Sequence, residues 1–158
     1  MNQLIRRLPL LAAFCLAACG GGGNMPTHTL ADGPLVVQTL PEPTGGYSDP
    51  GLENTVVRDN DSMRKLWSQV YRNTTPVPDV PKIDFSRKMV LAWATSSSPC
   101  YSFALDQVAV KNGAVVVNYH MTSPPPNVMC AAVVSYSVHL IEVDRIDTTV
   151  NFVMGGTI

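Results

Sequence analysis

His120 and His139 are the side chains of this 158-residue chain best placed to act as bases, each lying in an apolar run that reads as β-strand. Ser135, Ser137 and Asp144 lie close enough in sequence to draw a serine, histidine and aspartate set, and the two histidines are expected to neighbour one another across a sheet. The spacings that accompany such chemistry are missing. There is no Gly-x-Ser-x-Gly elbow, no His-Glu-x-x-His, no glycine-rich phosphate loop and no cysteine pair at zinc spacing. Asp59 and Asp61 are better read as helix caps, and Asp144 and Asp147 as turn residues. Met63 breaks the alternation that a calcium loop starting at Asp59 would need. A soft site for copper(I) can be drawn from Cys130 with Met121, Met129, His120 or His139, yet the seven methionines follow no Met-x-x-Met repeat and suit core filling. The expectation is a non-catalytic protein with no metal and no cofactor.

The four cysteines sort by position. Leu16, Ala17, Ala18 and Cys19 close an apolar run that starts at Leu8 behind Arg6 and Arg7, which is the pattern of a lipoprotein signal, with Cys19 as the acylated N-terminus of the mature chain. The run is too short to cross a membrane as a helix. Gly20 follows the cysteine in place of the aspartate that retains such proteins in the inner membrane, so an outer-membrane lipid anchor is expected. Cys15 leaves with the signal. Cys100 and Cys130 remain, and in an oxidising compartment they form one disulfide.

Removal of residues 1–18 leaves about 140 residues, the size of one domain with one core. Of 11 basic residues only Arg6 and Arg7 are lost, so 9 face 12 acidic residues and the mature net charge is near −3. That balance argues against nucleic acid, which requires a basic footprint. Residues 19–34, with Gly20 to Gly23 at their head and the solvated His28 among them, read as a lipidated flexible tether. A single globular domain is expected over 35–158.

Within that domain Leu35 to Leu40 reads as the first strand and Thr55 to Arg58 as a short second one. Asp59, Asn60 and Asp61 crowd the start of a helix running to about Arg72, whose Met63, Leu66, Trp67 and Val70 form one apolar stripe. Pro76, Pro78 and Pro81 make the next segment an extended connector. Lys88 to Thr95 is apolar on both faces and reads as a central strand buried on both. Tyr101, Phe103 and Leu105 alternate, whereas Val108 and Val110 take the opposite phase, which predicts a bulge near Asp106 and Gln107. Asn112-Gly113 is a hairpin signal that folds Val115 to Met121 back onto that strand. Thr122 to Met129 is an irregular crossing, Ala131 to Val143 the longest strand and Thr149 to Met154 the last. The expected fold is α+β, mainly β: one helix on a largely antiparallel sheet or open sandwich of about six strands.

From Asp59 onward the order Leu66-Trp67, Val70-Tyr71, Pro76, Pro78, Pro81, Ile83-Asp84-Phe85-Ser86, Met89-Val90 and Tyr136-Ser137-Val138-His139-Leu140-Ile141 resembles the C-terminal domain of the protease-complex subunit PrcB family, over about residues 55–155. Where that family carries Pro-Thr-Gly-Gly-Tyr, this chain has Ser97-Ser98-Pro99-Cys100-Tyr101. The Pro43-Thr44-Gly45-Gly46-Tyr47 run precedes the helix and reads as an unrelated turn. The resemblance implies an exported accessory subunit that binds or stabilises an envelope protein, in that family a protease. The expected binding loops are Ser98, Pro99 and Tyr101 with Pro124, Pro125, Pro126 and Asn127, tied together by Cys100 and Cys130. Alternatives are a protease inhibitor using the proline-rich loops, a structural envelope lipoprotein, and an enzyme of unknown type dependent on His120 or His139.

Overall fold

The computed structural model describes residues 30–43 and 48–156. The signal 1–18, the lipidation site Cys19, His28 and residues 44–47 lie outside the described residues.

Among the described residues, two four-stranded sheets and one helix stack in three layers. Of the three clustered candidates, Asp59 caps the helix: its backbone is extended (φ −153°, ψ 162°) and its carboxylate accepts the Ser62 N–H at 2.8 Å. α1, Asn60–Val70, buries Met63, Leu66, Trp67 and Val70, the stripe expected from their spacing. It ends before Arg72 because Tyr71 caps it, leaving the helical conformation (φ −99°, ψ 16°) with its ring 4.5 Å from that of Trp67. Trp67 also donates its indole N–H to the Pro78 carbonyl at 2.8 Å, so the proline connector is pinned to the helix.

The strands are β1 (Gly33–Pro34), β2 (Gln38–Thr39), β3 (Thr55–Val57), β4 (Lys88–Ser97), β5 (Ser102–Lys111), β6 (Ala114–Thr122), β7 (Ser135–Asp144) and β8 (Val150–Met154). One sheet has the order β1-β5-β6-β8 and the other β2-β7-β4-β3. The second is the middle layer. Its Val90, Ala92, Val138 and Leu140 pack under α1, while Met89, Leu91, Trp93, Ile141 and Val143 pack against the first sheet. This is why β4 is apolar on both faces. The fold is α+β and mainly β, with the helix covering the outer face of a sheet sandwich.

Two local features follow directly from residue type. Asn112 (φ 51°) and Gly113 (φ 76°) form the two-residue turn between β5 and β6, where positive φ at both positions matches the strand twist. The ladder slips between Leu105 and Gln107, leaving Asp106 as the unpaired residue of a bulge. The slip lets Phe103 on one side and Val108 and Val110 on the other all join the core between the sheets.

Three expectations change. Leu35–Leu40 is not one strand: Leu35 continues the β1–β5 pairing with an N–H bond to the Val108 carbonyl, whereas Leu40 bonds the Leu140 carbonyl in the other sheet. The segment crosses the sandwich edge, so its ends pair with different sheets, and the tether expected to end at Pro34 already contributes Gly33 and Pro34 to β1. Ala131–Val134 does not belong to the long strand. β7 starts at Ser135 because its partner β4 ends at Ser97, and Ser98 turns away with its hydroxyl donating to the Ala131 carbonyl. Among the described residues there are eight strands where about six were expected, and β8 runs parallel to β6, because the chain changes sheets between Asp144 and Val150.

Candidate functional site

The turn after β4 and the long loop after β6 meet at one end of the sandwich. Cys100 and Cys130 are bonded there, with Cα atoms 5.6 Å apart. Ser98 closes the first turn by accepting the Tyr101 N–H at 3.0 Å, and its side chain reaches the second loop at Ala131. In the second loop the Val128 N–H bonds the Pro125 carbonyl at 3.3 Å around Pro126 and Asn127, with Asn127 at φ 70°. Proline followed by an asparagine at positive φ is the sequence such a turn requires. The turn of Ser98, Pro99 and Tyr101 is thus tied, through Cys100–Cys130 and the Ser98–Ala131 bond, to the segment that follows Pro124, Pro125, Pro126 and Asn127.

What sequence reasoning missed is the apolar character of this rim. Met129 is 95% exposed, Val134 53%, Val128 49% and Val133 46%, all within one disulfide-tied loop. Scattered apolar side chains on a surface are ordinary, but here four crowd into seven residues of one loop. The available signal was the apolar run 131–134, which strand periodicity absorbed.

The histidines lie in different sheets, so they are not neighbours across one. His120 on β6 sits 2.6 Å, Nδ1 to Oδ1, from Asp106, the residue that the bulge turns out of the ladder. His139 on β7 lies directly opposite Trp93 of β4, its ring stacked at 5.0 Å, with Nε2 3.1 Å from the Thr95 hydroxyl. Glu42 Oε1 stands 3.8 Å from His139 Nδ1, beyond hydrogen-bond reach, and accepts the Leu140 N–H at 3.1 Å. Burial pushes His139 below its ordinary pKa and pushes the Glu42 carboxyl above its own.

The set drawn from Ser135, Ser137 and Asp144 does not form. Ser137 and Ser135 pair with Thr95 and Ser97, and Asp144 ion-pairs with Lys88 at 2.9 Å at the far end of the strand. Thr95 and Glu42, which do approach His139, were not singled out. Thr95 carried a weak signal, as the polar interruption in the inward phase Met89, Leu91, Trp93 of a central strand. The soft-metal alternative loses its thiolate to the disulfide, and no cluster of three or more histidine, cysteine or acidic side chains suited to a metal occurs among the described residues. No described helix is long and apolar enough to cross a membrane.

No family model, no curated protein and no solved structure matches this chain, so the resemblance drawn between Leu66 and Ile141 stands on those residues alone.

Proposed function

We propose that the protein is a lipid-anchored envelope lipoprotein of the outer membrane that acts as a non-catalytic, protein-binding accessory subunit, with the disulfide-tied rim as its docking surface. The observation that carries this reading is the exposure of Val128, Met129, Val133 and Val134 on a loop held in shape by a covalent cross-link. A pre-shaped apolar loop loses little conformational freedom on binding.

Chain geometry supports it. Asp32 accepts the Asn112 N–H at 2.9 Å and β1 pairs with the Asn112-Gly113 end of β5, so the segment from Cys19 joins the domain at the end opposite the rim. At about 3.3 Å per residue, the ten residues of β5 put roughly 30 Å between the two ends. With Cys19 acylated, the tether enters at the end away from the rim and leaves the rim free to meet a protein partner.

A photocrosslinking side chain at position 129, activated in intact cells, tests the proposal. One dominant envelope protein, lost in Val134→Asp, is the expected result. Recovery no richer than that of an unrelated Cys19-anchored control overturns it. A protease as the captured partner separates two modes: stabilisation raises its activity, whereas insertion of the Met129 loop into its cleft inhibits it.

A further inference from the structure

Between the two sheets, beside the segment that crosses from β1 to β2, lies a cavity of about 160 Å³. Its walls are aromatic: Trp93 and His139 from the middle sheet, Phe103 and Tyr119 from the other. Trp93 and Tyr119 have ring centroids 5.5 Å apart, and Phe103 lies 6.2 Å from His139. Exposed Leu105 and the partly exposed Glu42 stand on the lining too, so the space communicates with solvent on that side.

One polar group in this lining is incompletely used. Glu42 has one backbone donor and no lysine or arginine within ion-pair range among the described residues. Burial lowers the pKa of its neighbour His139 and so disfavours the imidazolium that would balance the charge.

We infer that this cavity is a binding site for a small organic cation, an ammonium with an apolar body, held against the aromatic walls with its charge toward Glu42. Aromatic faces attract a cation through their quadrupole, most strongly when water is excluded. The carboxylate supplies the charge that an apolar pocket lacks, which separates a cation from a neutral molecule of equal shape. Size limits the ligand. A cavity of about 150 Å³ holds one benzene-sized molecule, so the site admits a cation of about six to eight heavy atoms. Anions are disfavoured by Glu42. The site is independent of the apolar rim and of whatever docks there.

The test uses the full-length protein in non-ionic detergent with nitrogen-labelled tryptophan. The chain has two indoles, and Trp67, bonded to the Pro78 carbonyl, is the internal control. Choline is the probe and its uncharged carbon isostere, dimethylbutanol, the comparison. The expected result is a saturable shift of the Trp93 indole signal with choline at millimolar concentrations while Trp67 stays still, and at least about tenfold weaker binding of the isostere. Glu42→Gln keeps an acceptor for the Leu140 N–H and is expected to weaken choline about tenfold while leaving the isostere unchanged. Equal affinity for both probes, choline binding unaffected by Glu42→Gln, or no shift of Trp93 with either probe overturns the assignment.

Discussion

The two ends of the sandwich solve the same problem by different means. At the end bearing the Asn112-Gly113 turn, polar side chains satisfy the chain where it changes sheets. Arg58 donates to the Ile146 and Thr148 carbonyls, Arg145 donates to the Phe85 carbonyl at 2.7 Å and to Asp147 at 3.1 Å, and Thr148 donates to the Gly113 carbonyl at 2.6 Å. Lys88 and Asp144 pair beside them. At the other end one disulfide replaces that network, and the loop it ties leaves valines and a methionine in water. An end knitted by charged hydrogen bonds has these donors already engaged, Arg58 Nε alone of the named groups being buried 3.6 Å from Asp147 without a hydrogen bond. The other holds its shape while keeping its side chains free, which is the condition for recognising a partner without paying for refolding on contact.

The widest separation between the ends is expected in binding. Met129→Asp with Val134→Asp should cut crosslinked partner recovery by at least about tenfold, equivalent to about 1.4 kcal/mol, while shifting denaturation by less than about 0.5 kcal/mol. Arg145→Ala should leave recovery unchanged per folded molecule. If the two variants behave alike, the ends do not differ in role.

In stability the order reverses for the rim's framework. Cys100→Ser with Cys130→Ser opens a loop of 30 residues and should cost about 3.5 kcal/mol on the chain-entropy account, read from the urea midpoint. Thiol counting on unreduced, denatured protein should find neither Cys100 nor Cys130 free, and labelling of both would remove the disulfide. Arg145→Ala strips donors from the Phe85 carbonyl and from Asp147 and should cost about 2 kcal/mol. That smaller figure tests whether the polar end is held by several shared bonds or by one.

The smallest effect lies between the ends, at His139. Its pKa is depressed by burial, so below its ordinary 6.5 the unfolded chain binds a proton that the folded chain refuses, and stability falls as pH falls through that window. Glu42 acts in the other direction. Its raised carboxyl takes a proton in the folded state before the unfolded one, so stability gains as pH approaches 4.5. Melting temperatures of the His139→Gln variant should lose the decline just below pH 6.5, and those of Glu42→Gln should lose the gain nearer 4.5. Parallel curves for wild type and His139→Gln would show that the imidazole is solvated.

Where the amino-acid sequence decided the outcome alone, the physics is short in range. Asn112-Gly113 tolerates positive φ, Asp59 offers an oxygen to the first helical turn, and the spacing of Met63, Leu66, Trp67 and Val70 puts them on one face of a helix. The phase change around Asp106 was equally legible, because side chains alternate with period two along a strand and only an inserted residue can shift them. The two cysteines of the folded part could pair only with each other or remain free, so the disulfide followed from counting. Tertiary structure alone decided the rest. Periodicity gives the apolar faces of Leu35–Leu40 but cannot say that its two ends serve different sheets, nor that β8 adds parallel to β6. Those choices are settled by the summed burial of many distant side chains, no one of which is decisive. The meeting of Glu42, Trp93, Phe103, Tyr119 and His139 around one cavity needs the crossing segment, the bulge and both sheets in place at once. No local pattern encodes that convergence, since each residue by itself is an ordinary member of its own strand or loop.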